Sequence, residues 1–131
     1  MAAPAVPSPE GVVLVVDDQE PVRQVTVRIL RTAGFRVLEA RDGAEALDLL
    51  AGLGPHVVWL VVSDVVMPRL TGRDLAAVIT RRWPTIRILL LSAIPGPPAG
   101  FDGGFLQKPF TPETLVAAAI ALLPAPKAPA C

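Results

Sequence analysis

The chain has 131 residues, 52% of them hydrophobic and 18% charged, which is one domain's worth of sequence and too apolar to remain disordered. Twelve basic and twelve acidic residues cancel, so the charge balance gives no argument for nucleic acid or an anionic membrane surface as a partner. The longest strongly apolar run, residues 57–62, is far short of the ~20 residues of a membrane span, and MAAPAVPSPEG lacks the basic start of a secretory signal. No membrane crossing is expected, and the expected location is cytoplasmic.

Residues 1–11 and 124–131 are rich in Ala and Pro without apolar periodicity and read as disordered tails around a body at 12–123. VVLVV (12–16) reads as a buried strand. A helix entered through Pro21 follows, with Val22, Val25, Ile29 and Ala33 on its apolar face and a stop at Gly34. FRVLEA (35–40) is a second strand; Asp42 and Glu45 then have the spacing of a capping box for a helix carrying Leu47 and Leu50. HVVWLVVSD (56–64) is a third strand, followed by a helix from about Gly72 with Leu75, Ile79 and Trp83 on one side. IRILLLSA (86–93) is the fourth. IPGPPAGFDGG cannot form an ordinary helix. FLQ (105–107) is a short fifth strand, and a last helix opens with Thr111 as cap and Pro112 in its first turn, running to about Leu123. Strands that are apolar throughout, alternating with helices, predict an α/β fold with a parallel sheet covered on both faces.

In such a sheet, ligands bind beyond the carboxyl ends of the strands. Asp17 and Asp18 end the first strand, Asp64 the third, Ser92 the fourth, and Lys108 follows the fifth. Ten of the twelve basic residues are arginine, and Lys108 is the one lysine of the body, Lys127 lying in the C-terminal stretch. Two carboxylates about 4 Å apart repel by roughly 4 kcal/mol at an effective dielectric near 20, so the adjacent aspartates call for water or a cation. Three clustered carboxylates are hard oxygen donors of the kind that suit Mg²⁺. A lysine and a hydroxyl beside that ion would complete a pocket for the oxygens of a phosphoryl group, with a carboxylate as its acceptor. The one cysteine, Cys131, excludes an intrachain disulfide and a cysteine metal site; His56 reads as a surface residue, and Trp59 and Trp83 as packing residues.

The segments VVDDQEPVR, SDVVMPRLTG, LLLSA and FLQKPFTPETL, in this order, resemble the receiver domain of two-component response regulators over roughly residues 12–123. The resemblance implies a flavodoxin-like, doubly wound five-stranded parallel sheet. It implies Asp64 as phosphoacceptor, Asp18 as a direct Mg²⁺ ligand, Asp17 mainly through water, and the Val66 carbonyl as a further ligand. Ser92 and Lys108 would bind the phosphoryl group, Phe105 would be the aromatic that swings inward with Ser92, and the Lys108–Pro109 peptide would be cis. The implied partner is a sensor histidine kinase or a histidine phosphotransfer protein.

The stretch from Ser92 to Lys108 is about six residues shorter than is usual in the family, so the helix between the fourth and fifth strands is expected to be shortened or missing. That resembles receivers attached to hybrid histidine kinases, and the common dimer through that face is not expected. No enzymatic activity is expected beyond self-catalysed phosphoryl acceptance and slow loss; the loss is expected to be slow because Val66 and Ile94, two residues after Asp64 and Ser92, are aliphatic and cannot orient an attacking water. The alternative is a receiver-like protein-interaction module that is never phosphorylated. A phosphohydrolase would need a general acid near Asp64, where Val65 and Val66 stand, and a dinucleotide site would need a glycine-rich turn after the first strand.

Overall fold

The structure is a computed structural model that describes residues 11–124. The stretches expected as tails lie outside that range, apart from Pro124 and Gly11. Gly11 departs from the expectation: a Cβ there would come 2.8 Å from Trp59 Cδ1 and 3.0 Å from the Val57 carbonyl oxygen, so the chain already packs on the sheet at that residue.

Five strands, β1 (Val12–Val16), β2 (Arg36–Ala40), β3 (Val58–Asp64), β4 (Arg87–Ser92) and β5 (Gly104–Gln107), run parallel in the order β2-β1-β3-β4-β5. Four helices, α1 (Glu20–Thr32), α2 (Gly43–Leu53), α3 (Gly72–Arg82) and α4 (Pro112–Ala121), cover the two faces. Side chains alternate across a strand, so a strand that is apolar throughout feeds two cores at once. Leu14, Val16, Val61, Ile88 and Leu90 pack with α2 and α3 through Ala46, Leu50, Leu75 and Ile79. Val13, Val15, Leu60, Val62, Leu89 and Leu91 pack with α1 and α4 through Val27, Leu30, Leu115 and Ala119. The sheet is therefore doubly wound, as expected. The chain reverses its direction of winding between β1 and β3, which opens a crevice at their carboxyl ends.

Local chemistry fixes most helix ends. Asp42 accepts from the Glu45 N–H at 2.8 Å, and Thr71 and Thr111 cap α3 and α4 by bonds of 3.1 Å from the N–H groups of Asp74 and Thr114. The return half of the expected capping box is displaced by one residue, since Glu45 accepts from the Arg41 N–H at 3.0 Å. Gly34, at φ 105°, stops α1 in a conformation that glycine adopts freely. α4 ends at Ala121, two residues short of the expected Leu123.

The face of α1 differs from the expectation. Thr26, Val27 and Leu30 are the buried residues, whereas Val25 is 57% exposed and Val22, Ile29 and Ala33 are half-buried. Two adjacent apolar stripes exist on this helix, and only docking on the sheet selects between them. The outer stripe instead borders α4 and the Pro109–Phe110 turn, lining shallow grooves with Val116, Ile120 and Phe110.

Between β4 and β5 residues 93–103 contain no helix. Gly96 and Gly100 there take positive φ of 83° and 80°, outside helical geometry, as the Pro and Gly content predicts.

Candidate functional site

Asp17 and Asp18 follow β1, Asp64 ends β3, Ser92 ends β4 and Lys108 follows β5, so all five converge on the carboxyl edge of the sheet. One carboxylate oxygen from each of Asp17, Asp18 and Asp64 lies within 4.8 Å of the others. Lys108 Nζ is 3.3 Å from Asp64 Oδ1 in a partly buried ion pair. Asp17 is 3% exposed and its Oδ1 accepts from the Gln19 N–H at 2.9 Å; Asp18 stands exposed at the mouth.

Backbone contacts set these positions. The Asp17 N–H donates to the Ala40 carbonyl at 3.2 Å, and the Lys108 N–H donates to the Ser92 carbonyl at 2.8 Å, which joins the lysine to the hydroxyl-bearing strand end. Ser92 is buried, and its Oγ accepts from the Ile94 N–H at 3.0 Å. The β3–α3 connection is pinned by bonds from the Val65 N–H to the Leu91 carbonyl and from the Gly72 N–H to the Val65 carbonyl, each 2.9 Å. Gly72 is required there, because a Cβ would clash with the carbonyl oxygen of Asp64 itself.

Burial pushes the carboxyl of Asp17 above the usual carboxylate range, against the opposing Gln19 N–H bond. Burial likewise raises Asp64, and the facing Lys108 ammonium only partly offsets it. One ammonium among three crowded carboxylates leaves the pocket short of positive charge. A hard, oxygen-seeking divalent cation supplies what the donor set lacks, so the residues present fit Mg²⁺.

The remaining expected residues fall around this pocket. Val66 and Ile94 are 60% and 61% exposed in the two loops that flank it. Phe105 on β5 is half-buried against the α2–α3 core. The Lys108–Pro109 peptide is cis. His56 is exposed, Trp59 is buried beside Phe35 with ring centroids 6.1 Å apart, and Trp83 is half-buried under the Arg82 guanidinium.

Two contributors escaped the reading of the sequence. The sequence marks Gly72 only as a helix start and gives Arg23, inside the VVDDQEPVR segment, no role, although its guanidinium reaches back to the Asp17 carbonyl at 2.8 Å. A charged residue one turn into a helix that follows an acidic strand end was the available signal.

Fold and rim together define a doubly wound α/β domain with an acid pocket and one facing ammonium at the carboxyl edge of its sheet. Residues 13–120 match the model of the response regulator receiver domain. The chain belongs to that family. Over 114 residues it is 38% identical to the sensor kinase CckA of Brucella abortus, covering 82% of this chain and 12% of that protein. Over 117 residues it is 41% identical to the response regulator MprA of Mycobacterium sp. strain KMS, covering 85% of this chain and 50% of that protein. The chain thus spans half or less of the length of these relatives. Among solved structures it resembles the chemotaxis protein CheY4 of Vibrio cholerae at a TM-score of 0.78 and 32% identity, covering 88% of this chain and all of that one. It also resembles the receiver domain of the hybrid histidine kinase CckA at a TM-score of 0.75 and 32% identity, covering 87% of this chain and 100% of the other. Among the described residues no helix is long and apolar enough to cross a membrane.

Proposed function

We propose that this receiver domain accepts a phosphoryl group on Asp64 from the phosphohistidine of a sensor histidine kinase or histidine phosphotransfer protein and passes the signal to a protein partner. The observation that carries the reading is the Lys108–Asp64 ion pair of 3.3 Å inside the three-aspartate cluster. Asp17, Asp18, Asp64 and the Val66 carbonyl would hold Mg²⁺, which when bound supplies positive charge against the phosphoryl oxygens. An Asp64 carboxylate oxygen attacks phosphorus in line while the bond from phosphorus to the donor imidazole nitrogen breaks. The electron pair leaves with that nitrogen, and the new bond is an acyl phosphate. Lys108, no longer needed by a free carboxylate, turns its ammonium to a phosphoryl oxygen. Ser92, two residues before the exposed Ile94, donates its hydroxyl to another, and Phe105 follows it inward. Loss of the phosphoryl group is slow, and the chain has no other catalytic activity.

Incubation with Mg²⁺ and acetyl phosphate tests this directly. Intact-mass measurement should find one added phosphoryl group, absent in Asp64→Ala and absent when Mg²⁺ is chelated. A wild-type chain that stays unmodified in Mg²⁺ would count against phosphotransfer and favour an interaction module on the same fold.

A further inference from the structure

The acid pair does not stand on the sheet unaided. Arg23, on the first turn of α1, has a side chain only 12% exposed. Its Nε donates to Glu39 Oε1 at 2.9 Å, and its Nη1 donates to the Asp17 carbonyl at 2.8 Å. Glu39 Oε1 also accepts from Gln24 Nε2 at 2.8 Å. Glu39 sits at the end of β2, immediately before Ala40, whose carbonyl accepts the Asp17 N–H at 3.2 Å.

The consequence lies in one peptide plane. The Asp17 carbonyl belongs to the peptide that joins Asp17 to Asp18. Holding that oxygen fixes ψ of the first aspartate and φ of the second, and so the directions in which both side chains leave the backbone. The Asp17 N–H is tied to β2 as well, so the peptides on both sides of Asp17 are anchored to the same strand end. A planar guanidinium suits the task because its fork reaches two acceptors in fixed geometry, which an ammonium on a flexible stem does not.

We infer that Arg23, clamped by Glu39, is a positioning residue that orients Asp17 and Asp18 toward the cation, an inference that rests on the Mg²⁺ reading of the pocket. Arg23 touches neither the metal nor the phosphoryl group; it acts through the Asp17–Asp18 peptide. Partners outside the ligand shell of this kind change metal affinity by about 10–100-fold.

The test is Mg²⁺ titration by calorimetry on wild type, Arg23→Ala, Arg23→Lys and Glu39→Ala, with thermal unfolding in chelator as a control for folding. Arg23→Ala should bind Mg²⁺ about tenfold more weakly. Its phosphorylation by acetyl phosphate should be slowed at limiting Mg²⁺ and recover at saturating Mg²⁺, which a general loss of structure would not produce. Arg23→Lys keeps the charge and should still bind several-fold more weakly than wild type; wild-type affinity in that variant would assign the effect to charge and overturn positioning. Should Arg23→Ala fail to fold, Glu39→Ala, at the partly exposed end of the pair, carries the same expectation. Wild-type binding with equal affinity in a folded Arg23→Ala or Glu39→Ala overturns the inference alone, whereas a wild type that takes up no Mg²⁺ overturns the metal reading and the inference with it.

Discussion

Val66 and Ile94 stand in the two loops that flank Asp64, the proposed phosphoacceptor. Both are aliphatic and more than half exposed, so their side chains offer neither a donor nor an acceptor to fix an attacking water. Replacing Val66 by Asn supplies both. Because an amide orients a water without taking its proton, the gain should fall below the 10²–10⁴-fold of a true general base. Phosphoryl loss followed by mass spectrometry should be about tenfold faster in Val66→Asn than in wild type, and equal rates would show that water is not limited at this position. The acids, the hydroxyl and the lysine were legible individually because each ends or follows an apolar strand. Arg23 was not, because its role depends on the distance back to the Asp17 carbonyl, across a helix start that the sequence does not measure.

At the scale of elements, the junction between β3 and α3 couples packing to the site. Gly72 begins α3 where the helix backbone presses on the end of β3, and the atom a side chain would strike is the carbonyl oxygen of Asp64. That neighbour is backbone and cannot swing aside. Gly72→Ala should therefore lower stability by about 2 kcal/mol, in the range of overpacked sites. Urea unfolding measures this, and Mg²⁺ affinity should fall with it because the displaced backbone carries Asp64, one of the three clustered carboxylates. A polar surface glycine would lose neither. Helix positions in the chain followed from caps and breakers, but the docked face of α1 did not. Its Val22–Val25–Ile29 stripe satisfies helical periodicity as well as the Val27–Leu30 stripe that is buried.

For the molecule as a whole, the pocket trades stability against function. The folded-state pKa values of Asp17 and Asp64 lie above the ordinary value of 3.8, chiefly through burial. The folded chain then binds protons that the unfolded chain has already released. The contribution of these groups to stability is present below 3.8 and is lost as pH rises through the raised folded values. At neutral pH in chelator, Asp17→Asn should therefore melt higher than wild type, because it takes a charge out of a buried position beside other carboxylates. The advantage should shrink as pH falls toward 3.8, where the wild-type carboxyls take up protons. Mg²⁺ should reverse the order at neutral pH, since ligand binding to the folded state adds about 2.7 kcal/mol at one hundred times Kd and Asn is the poorer ligand. Thermal unfolding of both chains across pH, with and without Mg²⁺, measures all three. A wild type that is the more stable in chelator would show that the acid cluster is not strained.

The sequence by itself determined the order of strands and helices, the parallel sheet buried on both faces, the helix-free stretch between β4 and β5, and which residue types meet at the carboxyl edge. These follow from composition, periodicity and breakers, which act over a few residues and leave their mark in the chain. Only the tertiary structure decided which stripe of α1 faces the core, that Gly72 lies against the Asp64 backbone, and that Arg23 spans from Glu39 to the Asp17 carbonyl. Those are distances between segments that fold together from different strands, and one-dimensional spacing holds no measure of them.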